Sequence, residues 1–214
     1  MAASPERAEA PRAETRIDEA SPLLLASASP RRADLLRAAG IPFEVRPAAV
    51  DEAVLPDETP DAYVRRAARA KARAIADASP ARIVVAADTT VVVGGTLLAK
   101  PVDGDDAARM LRLLSGREHQ VLTGICLIRP ADAGAGRHEA VDVVQTTVEF
   151  AALSPAELDW YVASGEPMDK AGAYAIQGLA SRFITRVDGC YANVVGLPVS
   201  QLYRMCAAAG ILVS

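Results

Sequence analysis

The stretch Leu23-Leu-Leu-Ala-Ser-Ala-Ser-Pro-Arg-Arg32 decides the fold. Three consecutive leucines have the length and character of a short buried strand. The chain then turns small and polar at Ser27 and Ser29, and Pro30 follows. Proline suits the first position of a helix, where its missing N–H is not needed. Residues 31–39 are good helix formers, and Gly40 stops them. The pattern predicts a strand, a tight turn and a helix. Such a turn aims free N–H groups and the positive end of a helix at one spot, where anions bind. Ser29 is the expected cap, and Arg31 adds a fork for phosphate oxygens. From this segment alone, an ordinary capped helix with two solvated arginines reads equally well.

The 214 residues are enough for one large or two small domains. Half are hydrophobic but only 4% are aromatic, which points to an aliphatic α/β protein. A net charge of −4 argues against a general nucleic-acid binder, which would carry a basic face. It leaves room for an anionic small ligand held by a local cluster of Arg and Lys. Cys126, Cys190 and Cys206 are isolated and odd in number, so a reducing, cytoplasmic setting fits best. The most apolar window, 121–128, is far too short to cross a bilayer, so no membrane partner is expected. Residues 1–20 are charged throughout and are expected to be a disordered extension, leaving 21–214 as the folded domain.

Residues 41–47 read as a short edge strand broken by prolines. Asp51 and Glu52 follow in a polar loop. Adjacent carboxylates there form either a solvated turn or oxygen ligands for magnesium. Thr59-Pro60 opens a helix predicted to end near Ala78, capped by Thr59. Lys71 lies on or beside its apolar stripe, either snorkelling to water or pointing into a cleft. Residues 83–93 form an apolar, β-branched strand with Asp88 in its middle and Thr89 beside it. A carboxylate there either caps a turn or belongs to a site, and burial without a partner is costly enough to favour a site. Gly94-Gly95 predicts a hairpin, and the return strand 96–99 brings Lys100 back toward the level of Asp88. Helices are expected after the caps Asp103 and Ser154, with two long strands at 119–129 and 139–150 between them. Residues 168–178 mix charge, glycines, Tyr174 and Gln177 in a run too irregular for one element. The amide of Gln177 suits the edge of a nucleobase, or a backbone bond within a turn. A strand is expected at 183–187 and a last helix at 199–209. Helices and strands interleave, and a mixed twisted α/β sheet flanked by helices follows. His119 and His138 have no spacing that suggests a metal site or a triad, so a serine nucleophile at Ser27 or Ser29 has nothing to activate it.

Seven segments occur in a fixed order. They are 25–32, Val50-Asp-Glu52, Lys71-Ala72, Ala87-Asp-Thr89, Leu98-Ala-Lys-Pro101, Leu114-Ser-Gly116 and Asp169-Lys-Ala-Gly-Ala-Tyr-Ala-Ile-Gln-Gly178. Together they closely resemble the Maf family of nucleoside triphosphate pyrophosphatases, over roughly 23–211. The resemblance implies two lobes with a central cleft, similar to inosine triphosphate pyrophosphatases. It implies hydrolysis of a nucleoside triphosphate to the monophosphate and pyrophosphate with Mg²⁺ or Mn²⁺, and it is compatible with a homodimer. Arg31, Thr89 and Gln177 match the branch acting on dTTP and UTP, not the 7-methyl-GTP branch. The roles that follow are Asp88 as general base and metal ligand, and Asp51 and Glu52 as metal ligands. Arg31, Lys71 and Lys100, with Ser27 and Ser29, clamp the triphosphate, and Thr89 and Gln177 read the pyrimidine. Two positions depart from the pattern: Ala70 stands where relatives commonly have Glu, and Ala175 where they commonly have Gly. The alternatives are a nucleotide-binding regulator of septum formation with little turnover, and a purine-preferring enzyme of the same fold.

Overall fold

The structure, a computed structural model, describes residues 15–131 and 136–214. Its centre is a mixed sheet in the order β3-β2-β4-β6-β7-β8, with β5 also on β4. The strands are β1 (Thr15–Ile17), β2 (Leu23–Leu25), β3 (Phe43–Val45), β4 (Val84–Val93), β5 (Thr96–Leu98), β6 (Glu118–Arg129), β7 (His138–Phe150), β8 (Ile184–Asp188) and β9 (Ile211–Val213). The helices are α1 (Pro30–Ala38), α2 (Pro60–Ala78), α3 (Gly104–Leu114), α4 (Pro155–Ala163), α5 (Tyr191–Val195) and α6 (Val199–Ala208). Short 3₁₀ turns occupy Glu166–Asp169, Ala171–Ala173 and Leu179–Phe183. The mixed α/β architecture flanked by helices is the one expected.

β4 organises the packing because a strand alternates its faces. Val84 and Ala86 face the alanine stripe of α2, with Leu24, Ala68 and Ala72. Val92 faces Tyr63 and Val64 of the same helix. On the opposite face, Val85 and Ala87 pack with Ala33 and Leu36 of α1 and Leu202 and Met205 of α6. Val91 packs with Met110 and Leu111 of α3, Tyr161 of α4 and Tyr174. Two apolar groups therefore share that face, and Thr89 falls between them.

The edge of β4 is as important as its faces. β2 pairs with it in parallel only at Val84 and Val85, and β5 pairs antiparallel only at Val91 to Val93. Among the described residues, 86–90 have no strand neighbour on that edge. Asp88 lies in this window.

Local chemistry explains the best-read elements. The Thr59 hydroxyl accepts from Ala62 N, and Pro60 occupies the first turn of α2. Ser154 and Glu157 form the expected reciprocal capping box on α4. Gly94 and Gly95 both have positive φ in the β4–β5 turn.

Three expectations are corrected. The ordered fold begins before residue 20: β1 pairs in parallel with β9, Thr15 opposite Ile211, and Ile17 is fully buried. Residues 1–14 lie outside the described residues. Ser29 stands at the N-cap of α1, but its side chain makes no capping bond; its N–H donates to Ser27 Oγ at 3.2 Å instead. α5 and β9 were not foreseen, because five and three residues are too short to show periodicity.

Candidate active site

The window on β4 opens into a cleft of about 510 Å³, within the usual range for a small-molecule site. Its walls come from the β2–α1 turn, α2, β4, the segment after β5, the 169–177 loop and the end of α5. Arg31, Arg32, Lys71, Lys100 and Lys170 line it, against Glu52, Asp88 and Asp169. Five cations face three carboxylates in a chain whose net charge is −4. The cleft is a local positive field suited to a polyanion.

Asp88 is buried at 6% exposure. Its Oδ1 accepts from Lys71 Nζ at 2.6 Å, while its buried Oδ2 makes no regular hydrogen bond, the Tyr63 phenol standing by the carboxylate as a looser donor. Lys71 also lies 2.8 Å from Glu52 Oε2, so one ammonium joins two carboxylates. Tyr63 completes this corner. Burial, then the charges of Asp88 and Glu52, push its phenol well above the usual range, so it stays protonated. Gly124 permits this arrangement. It stands opposite Asp88 in the β4–β6 ladder, and a Cβ there would lie 2.2 Å from Val64 O. Without a side chain at that point, α2 rests on the sheet backbone and brings Tyr63 and Lys71 down to Asp88.

Across the strand, Arg32 was not foreseen as a site residue. It is 9% exposed and donates to Gly196 O at 2.7 Å, Ser27 Oγ at 2.9 Å and Thr89 Oγ1 at 3.2 Å. None of these acceptors is a carboxylate. Burial pulls its pKa down, and Asp88 opposes this through its charge. Thr89 Oγ1 also lies 2.9 Å from Thr123 Oγ1, which donates to Asn193 O. The Thr89 hydroxyl is thus engaged with Arg32 and Thr123, on the face of β4 opposite Asp88.

Arg31 reaches across the mouth to Asp169 Oδ2 at 2.9 Å. Lys170 bonds the other oxygen of Asp169 and donates to Glu166 O at 3.0 Å. Burial raises the pKa of Asp169, but the hydrogen bonds from Lys170 and Arg31 prevail and hold it below the usual carboxylate range. Lys100 and Gln177 are exposed on the cleft wall, with no side-chain bond to another described residue. The loop of Gln177 is held from behind. Ala175 N donates to Tyr161 Oη at 3.2 Å, and Glu166 accepts from Leu179 N and Ala180 N. The left-handed positions in this loop are Gly172 and Ala173, not Ala175, so an alanine at 175 causes no backbone strain.

The structure brings Ser27, Ser29, Arg31, Glu52, Lys71, Asp88, Thr89, Lys100 and Gln177 to one cleft. Asp51 is not among its lining residues; its Oδ1 accepts from Ala53 N at 2.9 Å and shapes the turn. Ala70 is half-buried on α2 and offers no carboxylate. No cluster of three or more His, Cys, Asp or Glu suited to a metal occurs among the described residues. The two-carboxylate corner still fits magnesium. That ion is commonly held by one or two carboxylates plus substrate phosphates, and Asp88 Oδ2 makes no regular hydrogen bond.

A family model described as Maf-like protein matches residues 22–209. The chain belongs to the Maf family. Within it, the chain is 54% identical over 188 residues to a dTTP/UTP pyrophosphatase of Anaeromyxobacter dehalogenans (strain 2CP-C), covering 88% of this chain and 94% of the relative. It is 50% identical over 190 residues to a dTTP/UTP pyrophosphatase of Koribacter versatilis, covering 89% and 95%. A Maf relative from Myxococcus xanthus with the same description is 49% identical over 189 residues, covering 88% and 93%.

Proposed function

We propose that this Maf protein hydrolyses dTTP and UTP to the monophosphate and pyrophosphate by attack of water at the α-phosphorus. The observation that carries this is Asp88, a buried carboxylate with one oxygen outside any regular hydrogen bond, set at the floor of a cleft rich in cations. Its Oδ2 takes the proton of the attacking water, and Lys71 on Oδ1 holds the carboxylate in place for that task. Arg31, Lys100 and Lys170 hold the triphosphate, and Arg32 supplies a buried positive charge beside the β2–α1 turn. Ser27 aligns Arg32 through its Oγ. Gln177 is free to bond the pyrimidine edge, while Thr89 shapes that wall with its hydroxyl turned to Arg32.

Glu52 and Asp88 are the residues that would hold Mg²⁺ or Mn²⁺, and the bound ion would neutralise developing phosphate charge. Asp51 supports the loop of Glu52 without lining the cleft. Three cysteines without disulfides are in keeping with a reducing cytoplasm. No helix among the described residues is long and apolar enough to cross a membrane.

The test is pyrophosphate release across dTTP, UTP, CTP, GTP, 7-methyl-GTP and ITP, with Mg²⁺ or Mn²⁺, for the wild type and Gln177→Ala. Turnover concentrated on dTTP and UTP, with selectivity over GTP narrowed in the variant, is the expected result. Strong turnover confined to a purine overturns the base assignment. Nucleotide binding without turnover on any substrate favours a regulatory role.

A further inference from the structure

We propose that Arg66 and Glu58 form a positioning clamp that presents Glu52 to the metal site, a role resting on the assignment of Glu52 above. Glu52 sits in a loop, with its side chain 46% exposed, so nothing in its own burial fixes where it points. The adjoining Ala53 is fixed on both sides. Its N–H donates to Asp51 Oδ1 at 2.9 Å, and its C=O accepts from Arg66 Nη2 at 2.8 Å.

Arg66 is itself locked. Its Nε donates to Glu58 Oε1 at 2.6 Å, and its Nη2 donates to Glu58 Oε2 at 2.7 Å. The Glu58 side chain is 8% exposed and also accepts from Leu55 N at 3.1 Å. One planar fork therefore ties the loop to α2 at both 53 and 58. The same helix carries Tyr63, whose ring lies 5.8 Å from the Arg66 guanidinium, and Lys71, which bonds Glu52 and Asp88. The clamp sets the distance between the Glu52 carboxylate on the loop and the Asp88 carboxylate on β4 through a single helix. A point-charge ammonium cannot reproduce a two-pronged bond plus a carbonyl contact.

The test is Mn²⁺ binding to the full chain, followed by the electron paramagnetic resonance signal of the free ion, for wild type, Arg66→Lys, Glu58→Gln and Glu52→Gln. Thermal midpoints and the metal dependence of dTTP turnover are measured in parallel. We expect both clamp variants to weaken Mn²⁺ affinity about tenfold, as loss of outer-shell support typically does. Their kcat at saturating Mn²⁺ should stay within about threefold of wild type, since added metal offsets a misplaced ligand. A purely structural clamp would lower the thermal midpoint without changing Mn²⁺ affinity, which would overturn the proposal. So would unchanged affinity in Arg66→Lys and Glu58→Gln alongside a loss in Glu52→Gln. Unchanged affinity in Glu52→Gln would remove the metal role of Glu52 itself, and the clamp's purpose with it.

Discussion

Lys71 Nζ lies 2.6 Å from Asp88 Oδ1, and the pair sits between two apolar clusters of the α2–sheet interface. Both side chains are below 10% exposure. Each partner is therefore the main reason the other is tolerated there.

Lys71→Met leaves Asp88 buried without its cation. Breaking such a pair from one side costs about 3–5 kcal/mol. Asp88→Asn should cost less, because Lys71 keeps Glu52 at 2.8 Å. Urea unfolding of the two variants should rank them in that order; equal losses would contradict the shared-lysine geometry.

Asp88→Asn removes the proposed base while leaving the cations that hold the triphosphate. General-base removal lowers turnover by about 10²–10⁴-fold. Pyrophosphate release should fall by that factor, while calorimetric binding of dTTP changes little. A near-wild-type rate would reassign the base.

Gly124→Ala places a methyl group where Val64 O already sits, 2.2 Å from the new Cβ. α2 must lift from β6, at a cost of about 1–3 kcal/mol for overpacking. The lift also carries Lys71 and Tyr63 away from Asp88, so kcat should drop more than KM changes. An unaltered kcat would show that the helix can yield without disturbing the pair.

His119 should make the fold acid-sensitive. Burial lowers its pKa from 6.5 to about 4, against a smaller opposing pull from the Arg117 backbone, and Tyr174 Oη lies 2.8 Å from its Nε2. Between those values the unfolded chain binds the proton and the folded chain does not, so stability is full above pH 6.5 and declines as pH falls toward 4. The loss is about 2 kcal/mol by pH 5 and about 3 kcal/mol by pH 4. His119→Phe should flatten this decline in denaturant midpoints measured from pH 7 to 4.

Much of this was legible because short-range chemistry carried it. Thr59-Pro60 marks the start of α2 to the residue, and a carboxylate amid β-branched residues singles out Asp88, which the fold places in the cleft. What stayed hidden depended on direction. In Arg31-Arg32 and in Asp51-Glu52, neighbouring side chains of one chemistry face different ways, and only the packed fold says which turns inward. The clearest losses are the pairings of distant short segments. Three residues of β1 or β9 carry no period, and neither strand makes sense without the other.

That last pairing gives the molecule a temporal order. During synthesis, β1 leaves the ribosome long before β9, which trails it by 196 residues in the register Thr15 opposite Ile211. At translation speeds of about 5–20 residues per second, β1 waits roughly 10–40 s for its only strand partner among the described residues. The cleft-forming sheet, whose last strand ends at Asp188, can condense before β9 emerges, while Ile17 still lacks the α6 and β9 residues that share its apolar cluster. The β1–β9 pair thus closes over a cleft already built.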